Sequence, residues 1–202
     1  MGDVDLTLTL ELVQDAQAGN REALNRLLDR YSDRVRTIIR LRLGSKLRER
    51  VDSVDILQET LIEAIQGFDR FEMRDEGSLI NWLSKLAERK ILNARDFHAA
   101  LKRDFTRDVA FDAQVEHQMR SSRDTPTPAD EVESVERNHM IEACLEQLPE
   151  LYREVIILRD YAGATWKTVA EQLEKPSEDS VRMLHARALI ALGKVARNAG
   201  LD

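Results

Sequence analysis

The sequence is poor in the residues that build disulfide frameworks, tight turns and aromatic clusters. It has a single cysteine, Cys144, which excludes an internal disulfide framework and the usual four-thiolate metal sites. Its 8 glycines and 4 prolines are too few for a turn-rich all-β architecture, and only 5% of the chain is aromatic. No apolar run approaches the roughly 18 residues of a membrane span, and the N-terminus lacks a signal-peptide core. We therefore expect an all-α protein of the reducing cytoplasm.

The charge balance is acidic, but the charges are unevenly distributed. A formal net charge of −7 argues against a protein that grips nucleic acid by itself, because such affinity comes largely from neutralising phosphates. However, residues 21–50 carry ten basic and four acidic groups, and residues 85–107 carry seven and three. Residues 124–160 carry ten acidic and only three basic groups. The average therefore hides two basic blocks and one acidic block.

Apolar residues recur at helical spacing in two parts of the chain, which predicts two small helical domains and no strand. The first part contains helices at 10–18, from Asn20 to Gly44, at 53–66 and from Leu79 past residue 95. The second contains helices at 129–148, 149–160 and 165–173, and a last helix after Ser177. Pro126 and Pro128 favour an extended chain between them. We predict domains over residues 1–106 and 130–202, joined by a flexible linker over 107–129.

The third predicted helix has one polar face, with a single isoleucine in it. On a helical wheel Asp55, Gln58 and Glu59 lie together, with Ile62 among them. The opposite, core-facing side is predicted to contain an apolar set: Leu57, Leu61, Ala64, Ile65 and Phe68. An exposed apolar residue ringed by polar ones is one expected form of a protein-binding patch. A stray exposed isoleucine is the simpler alternative.

The fourth predicted helix carries a basic side beside a loop with an aromatic residue. Lys85, Arg89 and Arg103 share one side of the helix, and its core side is predicted to hold Leu79, Leu83, Leu86 and Phe97, with Trp82 at the edge. The preceding loop contains Phe71 and Arg74. Charge and stacking in this combination can bind single-stranded nucleic acid. A surface helix over packed aromatic side chains is the alternative.

The last two helices have the lengths and the tight connection of a helix-turn-helix. The outer side of the last helix holds seven residues: Arg182, Met183, Ala186, Arg187, Ile190, Lys194 and Arg197. The arginine fork can donate twice to a guanine edge or to a phosphate, so this side is a candidate DNA-reading surface. A solvated face of an ordinary helix is the alternative. Glu178 and Asp179 favour that alternative, because outward carboxylates would repel DNA phosphates.

Taken in order, these motifs resemble bacterial RNA polymerase sigma factors of the extracytoplasmic-function type. The resemblance covers about residues 8–105 and 130–198. It rests on five segments: Asp55-Ile56-Leu57-Gln58-Glu59, Phe68-Asp69-Arg70-Phe71 with Gly77-Ser78-Leu79 and Trp82-Leu83, Leu148-Pro149-Glu150 with Arg153-Glu154-Val155, Thr165–Leu173 and Ser180–Leu192. The family has two helical domains, sigma2 and sigma4, on either side of a flexible linker. The five segments stand here in the family's order and spacing.

The resemblance implies a role for each surface in promoter-specific transcription initiation. It implies that sigma2 grips the clamp helices of core RNA polymerase through Asp55, Gln58, Glu59 and Ile62. It implies that the minus-ten promoter element is melted and read by a second set: Phe71, Arg74, Lys85, Arg89, Asn93 and Arg103. It implies that sigma4 reads the minus-thirty-five element through a third set: Thr165, Lys167, Ser180, Arg182, Met183, Ala186 and Arg187. The polymerase flap and an anti-sigma factor are further expected partners, and the acidic linker is expected to enter the polymerase RNA channel.

The chain departs from the family pattern at several positions. It has Ala87-Glu88-Arg89 where the family usually has Ala-Arg-Asn, and Asn93 where the family usually has Asp. Glu174 stands where the helix-turn-helix usually has glycine, and Leu184 where an arginine is expected. These differences suggest a divergent subgroup with its own promoter sequence.

Two other classes of function are weighed against this one. A stand-alone helix-turn-helix regulator would bind duplex DNA without polymerase, but it has no use for the polar face at Asp55, Gln58 and Glu59. An enzyme is disfavoured, because the four histidines lack metal-ligand spacing and no glycine-rich phosphate loop or nucleophile arrangement is present. We therefore predict no catalytic residue, no metal, no cofactor and no membrane association. We expect His185 to be packed rather than catalytic.

Overall fold

The computed structural model of the chain describes residues 3–75, 77–108 and 140–200. All regular structure in these ranges is helical. Most of the predicted linker, residues 109–129, and the first part of the predicted helix at 129–148 lie outside them. Residues 107–108 belong to the end of a helix.

The first half of the described chain forms four helices and the second half forms four more. The first four are α1 (Asp3–Gln17), α2 (Arg21–Arg48), α3 (Ser53–Gly67) and α4 (Ser78–Asp108), with a 3₁₀ turn at Phe68–Arg70 after α3. The second four are α5 (residues 140–146), α6 (Glu150–Ile156), α7 (Trp166–Gln172) and α8 (Glu178–Asn198). A π-helical turn, Ile157–Tyr161, continues α6.

Side-chain caps define where four of the described helices begin. Asn20 accepts hydrogen bonds from two backbone amides of α2, and Asp52, Thr165 and Ser177 cap α3, α7 and α8 in the same way. The helix breaks at Gly44, where the sequence predicts its end. Gly44 adopts φ 64 and ψ 166, non-helical values open to glycine at no steric cost, and a further helical segment follows up to Arg48.

The first four helices enclose a core whose centre is the apolar stripe of α2. Leu27, Val35, Ile38 and Ile39 are buried there, as their spacing predicts, and Leu79, Leu83 and Leu86 of α4 face them. The core line of α3 differs from the predicted one. It consists of Ile56, Thr60, Ala64 and the following Phe68, whereas Ile65 is exposed.

Two local features explain why burial on α3 and α4 differs from the helical-wheel prediction. The hydroxyl of Thr60 donates to the carbonyl of Ile56 at 2.6 Å, so a polar residue can occupy a core position without an unmet hydrogen bond. Phe97 of α4, predicted to be in the core, is exposed, and among the described side chains of α4 the last buried one is Ile91. The helix therefore runs past the bundle that it helps to form.

Helices α6 to α8 form the predicted helix-turn-helix. Val155, Val169, Val181 and Ala188 are buried at the centre of this unit. The turn between α7 and α8 passes through Glu174, which has φ 52, in the left-handed region where glycine is favoured. The resemblance places glycine at this position, and Glu174 adopts a left-handed conformation of the kind that glycine favours.

The two units pack against each other, and ion pairs from α2 cross the boundary. Arg42 donates through Nη2 to Glu154 of α6 at 2.6 Å. Through Nη1 it donates to the carbonyl and hydroxyl of Ser84. Arg48 pairs with Glu142 at 2.8 Å and with Glu146 at 2.6 Å. We call these contacts, with Arg40–Glu142 at 3.2 Å, the interdomain clasp.

Backbone packing, a hydrogen bond and apolar contacts also hold the two units together. A Cβ atom added to Gly77 would lie 2.4 Å from the carbonyl oxygen of Gly163, so the two loops approach as closely as glycine allows. Asn81 of α4 accepts a hydrogen bond from Gln172 of α7 at 3.3 Å. The buried side chains of the two units form one continuous apolar cluster.

Candidate nucleic-acid and partner interfaces

The polar face of α3 is exposed, as the sequence predicts. Asp55, Gln58 and Glu59 lie on the surface, and Ile62 is 55% exposed. Their spacing of three and four residues places them together on one side of the helix, opposite the buried Ile56 line. Within the part of the chain that the structure describes, none of these four side chains makes an ion pair or a hydrogen bond. The face is therefore available to another molecule.

The loop between α3 and α4 is built on an aromatic cluster rather than on a free aromatic ring. Phe71 is 5% exposed, and its ring centroid lies 5.6 Å from that of Phe68 and 5.0 Å from that of Trp82. Gln17 of α1 donates to the carbonyl of Phe71 at 2.6 Å. In this arrangement Phe71 anchors the loop, and its ring offers no open face to a base.

Hydrogen bonds hold the outer part of the same loop. The hydroxyl of Ser78 accepts from the amides of Arg74 and Asp75 at 3.1 and 2.9 Å and donates to the Asp75 carboxylate at 2.8 Å. The Arg74 guanidinium is exposed and pairs with Glu72 at 2.9 Å. The loop therefore exposes the Arg74 cation, and hydrogen bonds from Ser78 hold the backbone that carries it.

The basic side of α4 divides into paired and unpaired cations. Arg89 and Lys90 both pair with Glu63 of α3, and the hydrogen bond from Lys90 is the main cause that lowers the pKa of Glu63. Lys85 and Asn93 are exposed. The side chain of Arg103 lies outside the part of the chain whose side chains the structure describes. Lys85 is thus the cation of this side that carries no intramolecular ion pair in the described ranges.

A cavity opens between α4 and the helix-turn-helix unit next to this basic side. It has a volume of about 480 Å³. Its lining includes apolar, basic and acidic groups, among them Trp82, Lys85, Arg89, Glu154 and Leu173. The cavity exists because the two units are packed together, so its walls come from both.

The outer face of α8 is exposed as the helical wheel predicts. This face exposes Arg182, Met183, Ala186 and Arg187. Lys167 of α7, the preceding helix, is also exposed. Two other predicted DNA contacts make local hydrogen bonds at the starts of α7 and α8 in this structure. The Thr165 hydroxyl accepts from the amide of Thr168, and the Ser180 hydroxyl donates to the carbonyl of Ser177 at 2.6 Å.

A polar and aromatic cluster beside α8 includes three residues that the sequence did not single out for function: Arg159, Asp160 and Trp166. Trp166, the first residue of α7, has the guanidinium of Arg159 4.4 Å from its ring centroid and that of Arg182 at 5.3 Å. His185 meets the same ring edge-on at 5.4 Å and pairs with Asp160 at 2.8 Å. The prediction that His185 is packed is therefore confirmed. Trp166 gave no functional signal because its spacing fits an ordinary core position.

In residues 3–75, 77–108 and 140–200, no group of three or more histidine, cysteine, aspartate or glutamate side chains could hold a metal ion. In the same ranges, no helix combines the length and the apolar character needed to cross a membrane.

Comparison with known protein families matches both units of the fold. Residues 27–99, from α2 to the middle of α4, match the family described as sigma-70 region 2. Residues 138–192, which contain the helix-turn-helix, match the family described as sigma-70, region 4. The exposed α3 face lies within the first match, and Arg182 and Arg187 lie within the second.

Individual relatives agree with this division. The chain is 28% identical over 182 residues to the ECF RNA polymerase sigma-E factor of Haemophilus influenzae, covering 89% of this chain and 91% of the relative. It is 26% identical over 167 residues to the protein of that name from Escherichia coli, covering 82% of each. In fold it matches CnrH, solved in complex with the cytosolic domain of CnrY, with a TM-score of 0.57, 20% identity and coverage of 95% and 98%. The chain therefore belongs to the sigma-70 family, as an extracytoplasmic-function sigma factor that directs RNA polymerase to specific promoters.

Proposed function

We propose that this sigma factor divides initiation among three surfaces: the α3 face for core polymerase, the α3–α4 loop with α4 for the minus-ten element, and α8 for the minus-thirty-five element. The observation that carries this proposal is the exposure of two faces on two separate units. The unpaired face of α3 lies in the region 2 match, and the basic face of α8 lies in the region 4 match. We place its action in the cytoplasm, where the chromosome and core polymerase lie.

Core binding is the first assignment that an experiment can test. Ile62 on the α3 face combines an exposed apolar surface with flanking hydrogen-bonding groups, which suits the centre of a protein interface. We expect Ile62→Asp and Gln58→Ala to weaken the affinity for core polymerase at least tenfold, measured by fluorescence anisotropy of the labelled sigma factor. Leu10→Asp, which alters an exposed apolar residue of α1, is the matched control. Unchanged affinity in both α3 variants, with normal helical circular dichroism, would remove this assignment.

For the minus-ten element we propose the exposed groups around the α3–α4 loop as contacts. Arg74, Lys85 and Asn93 are exposed, and Arg89 becomes available if DNA displaces Glu63. Arg103 remains a proposed contact from the distal part of α4. Extruding a base costs a few kcal/mol, so the loop must return that energy through hydrogen bonds or stacking. Because Phe71 is packed inside the aromatic cluster, we assign it the role of holding this loop in place.

For the minus-thirty-five element we propose the outer face of α8 as the reading surface. Arg182, Met183, Ala186 and Arg187 lie at helical spacing on this face, and Ala186 is small enough for close approach to a base pair. Lys167 and the cap residue Thr165 lie at the start of α7, where side chains and backbone amides commonly contact phosphates. Ser180, in the first turn of α8, remains a proposed contact.

Use of both elements at once requires the two units to separate. Elements named for positions ten and thirty-five are roughly 25 base pairs apart, or about 85 Å at ~3.4 Å per base pair. A compact chain of this length has a radius of gyration of about 17 Å. The clasp between α2 and the carboxylates of α5 and α6 must therefore open when promoter DNA is engaged.

A protein partner other than polymerase is a further part of the proposal. CnrH, which shares this fold, has been solved in complex with the cytosolic domain of CnrY. We propose that this chain also has such a partner, an anti-sigma factor, which would keep it from polymerase. Affinity capture on the immobilised chain, followed by competition with core polymerase, tests this part.

Run-off transcription tests the function as a whole. Purified chain and core polymerase are incubated with genomic fragments, and the start sites of the transcripts are mapped. We expect transcripts from a restricted set of promoters only when both components are present. Tight, salt-sensitive binding of the chain alone to duplex DNA, without transcription, would instead indicate a stand-alone regulator.

A further inference from the structure

We propose that the two arginines of the recognition helix have different tasks: Arg182, held in place by Trp166, reads a guanine base, whereas Arg187 binds the phosphate backbone. This inference rests on the proposed reading of the minus-thirty-five element by α8. It adds Trp166 as a positioning residue and gives Glu178 and Asp179 a role in DNA recognition.

The guanidinium of Arg182 is held by three neighbours. It donates through Nη2 to Glu178 at 3.1 Å, lies 3.8 Å from Asp179 through Nε, and has its centre 5.3 Å from the ring centroid of Trp166. The side chain is still 51% exposed, and Nη1 has no partner among the described contacts. An arginine orientated in this way loses less conformational entropy when it donates twice to one base.

The two carboxylates select what Arg182 can bind. Together with Arg182 they carry a net charge of −1, and they occupy the first turn of α8, where an anion would otherwise be favoured. A DNA phosphate at this point meets repulsion from both carboxylates. The major-groove edge of guanine is uncharged and offers two acceptors, O6 and N7, to a guanidinium. The acidic pair therefore disfavours phosphate and leaves the base edge as the ligand.

Arg187 lies in a contrasting environment on the same face. It is exposed and makes no ion pair or hydrogen bond within the described ranges. The residues three and four positions away on either side, Met183, Leu184, Ile190 and Ala191, are all apolar. A mobile cation with no acidic neighbour suits contact with a phosphate, which attracts charge without demanding a fixed geometry.

Trp166 holds its own place through contacts that do not involve Arg182. Arg159 lies 4.4 Å from its ring centroid and is fixed in turn by donating to the carbonyl of Ala164 at 2.8 Å. His185, paired with Asp160, meets the ring edge-on. The indole is thus a rigid surface against which the Arg182 guanidinium rests. The cation–π contact should raise the population of this Arg182 conformer roughly twofold to fivefold.

The test uses in vitro transcription by core polymerase with the full chain, on a promoter library whose minus-thirty-five hexamer is randomised. Transcripts are sequenced for the wild type and for Arg182→Ala, Arg187→Ala, Trp166→Leu and Trp166→Phe. We expect the wild type to prefer guanine at one position on either strand. Arg182→Ala should reduce that preference roughly tenfold to a hundredfold. Trp166→Leu should reduce it partly, and Trp166→Phe should retain most of it because the aromatic face remains.

Arg187→Ala is the matched control. It should lower transcription evenly across all hexamers and reduce the slope of log affinity against log salt by about 1. In the wild type, 7-deazaguanine at the preferred position should cause part of the loss seen in Arg182→Ala, because it removes the N7 acceptor and keeps O6. Glu178→Gln with Asp179→Asn should raise the affinity for non-specific duplex DNA.

Two results would overturn the inference. One is an even loss across hexamers for both arginine variants; the other is an unchanged guanine preference in Arg182→Ala. Equal profiles of Trp166→Leu and the wild type, with normal circular dichroism, would remove the positioning role of Trp166. All of these outcomes differ from failure of the proposed function, in which the wild-type chain itself yields no transcript with core polymerase.

Discussion

Both α2 and α8 carry several arginines, but the structure uses those of α2 differently from Arg187 of α8. Arg42 of α2 has a side chain that is 7% exposed, and it bonds to Glu154 and Ser84. Arg40 and Arg48 also face carboxylates of the second unit. On α8, Arg187 stands in solvent with no partner in the described ranges. The arginines of α2 join the two units, whereas Arg187 stays exposed on the face that we propose for DNA.

The acidic block of the sequence explains the difference. Glu142, Glu146 and Glu154 belong to the acidic block at residues 124–160 and lie beyond the predicted linker, residues 107–129. The structure pairs these three carboxylates with arginines of α2. The expectation that the linker enters the polymerase RNA channel concerns residues that lie mostly outside the described ranges. Charge counts along a chain therefore identify the groups that can pair, but not the pairs.

The largest expected effect comes from breaking the most buried pair. Arg42→Ala removes the hydrogen bonds to Ser84 and leaves Glu154 without its partner. We expect the free energy of unfolding to fall by about 2–4 kcal/mol, measured by urea denaturation. Arg187→Ala should change it by less than about 0.5 kcal/mol. Equal losses in the two variants would contradict the contrast between the two helices.

Backbone packing at the boundary should have the next largest effect. Gly77→Ala places a Cβ atom 2.4 Å from the Gly163 carbonyl, so the two loops must move apart. We expect a loss of about 1–3 kcal/mol, together with a larger hydrodynamic radius. Gly193→Ala is the control, because a Cβ atom there meets nothing within 4 Å and alanine favours the helix by about 0.5–1 kcal/mol. An unchanged radius in Gly77→Ala would show that this contact does not keep the units together.

The carboxylate shared by two arginines should have a smaller effect. Glu142→Gln removes a charge that pairs with both Arg40 and Arg48, whose side chains are 23% and 25% exposed. We expect a loss of about 1–2 kcal/mol and a longer mean distance between spin labels on the two units. Glu146→Gln, which affects Arg48 alone, should have less than half that effect. The reverse order would show that Glu146 is the stronger partner.

The smallest expected effect is a dependence on alkaline pH at the same boundary. Burial, with the nearby charges of Glu142 and Asp160, raises the pKa of Tyr161 above its ordinary value of 10.0. The folded state therefore binds this proton more tightly than the unfolded state, so stability is fully present below about pH 10 and falls as the pH rises through the raised pKa. In Tyr161→Phe, the free energy of unfolding should fall less between about pH 9 and 11, by under about 1 kcal/mol relative to the wild type. Parallel curves for the two proteins would contradict it.

Much of the candidate site could be predicted because it lies on single helices. Asp55, Gln58, Glu59 and Ile62 are exposed together, and so are Arg182, Met183, Ala186 and Arg187, since helical periodicity alone places them on one face. The predictions for Ile65 and Phe97 were wrong because burial depends on where the partner helix lies. The resemblance placed Phe71 among the minus-ten contacts, but its ring packs on Phe68 and Trp82, which agrees with the alternative of packed aromatic side chains.

By itself, the amino-acid sequence determined the helical class, the two units, the helix-turn-helix and the two outward faces. These follow from local periodicity, caps and motif order, which act over a few residues. Only the tertiary structure decided that α2 pairs with Glu142, Glu146 and Glu154, and that Arg182 rests against Trp166 between two carboxylates. Pairing of charges depends on distance in space and on burial. Both arise only when elements far apart in the chain are packed together.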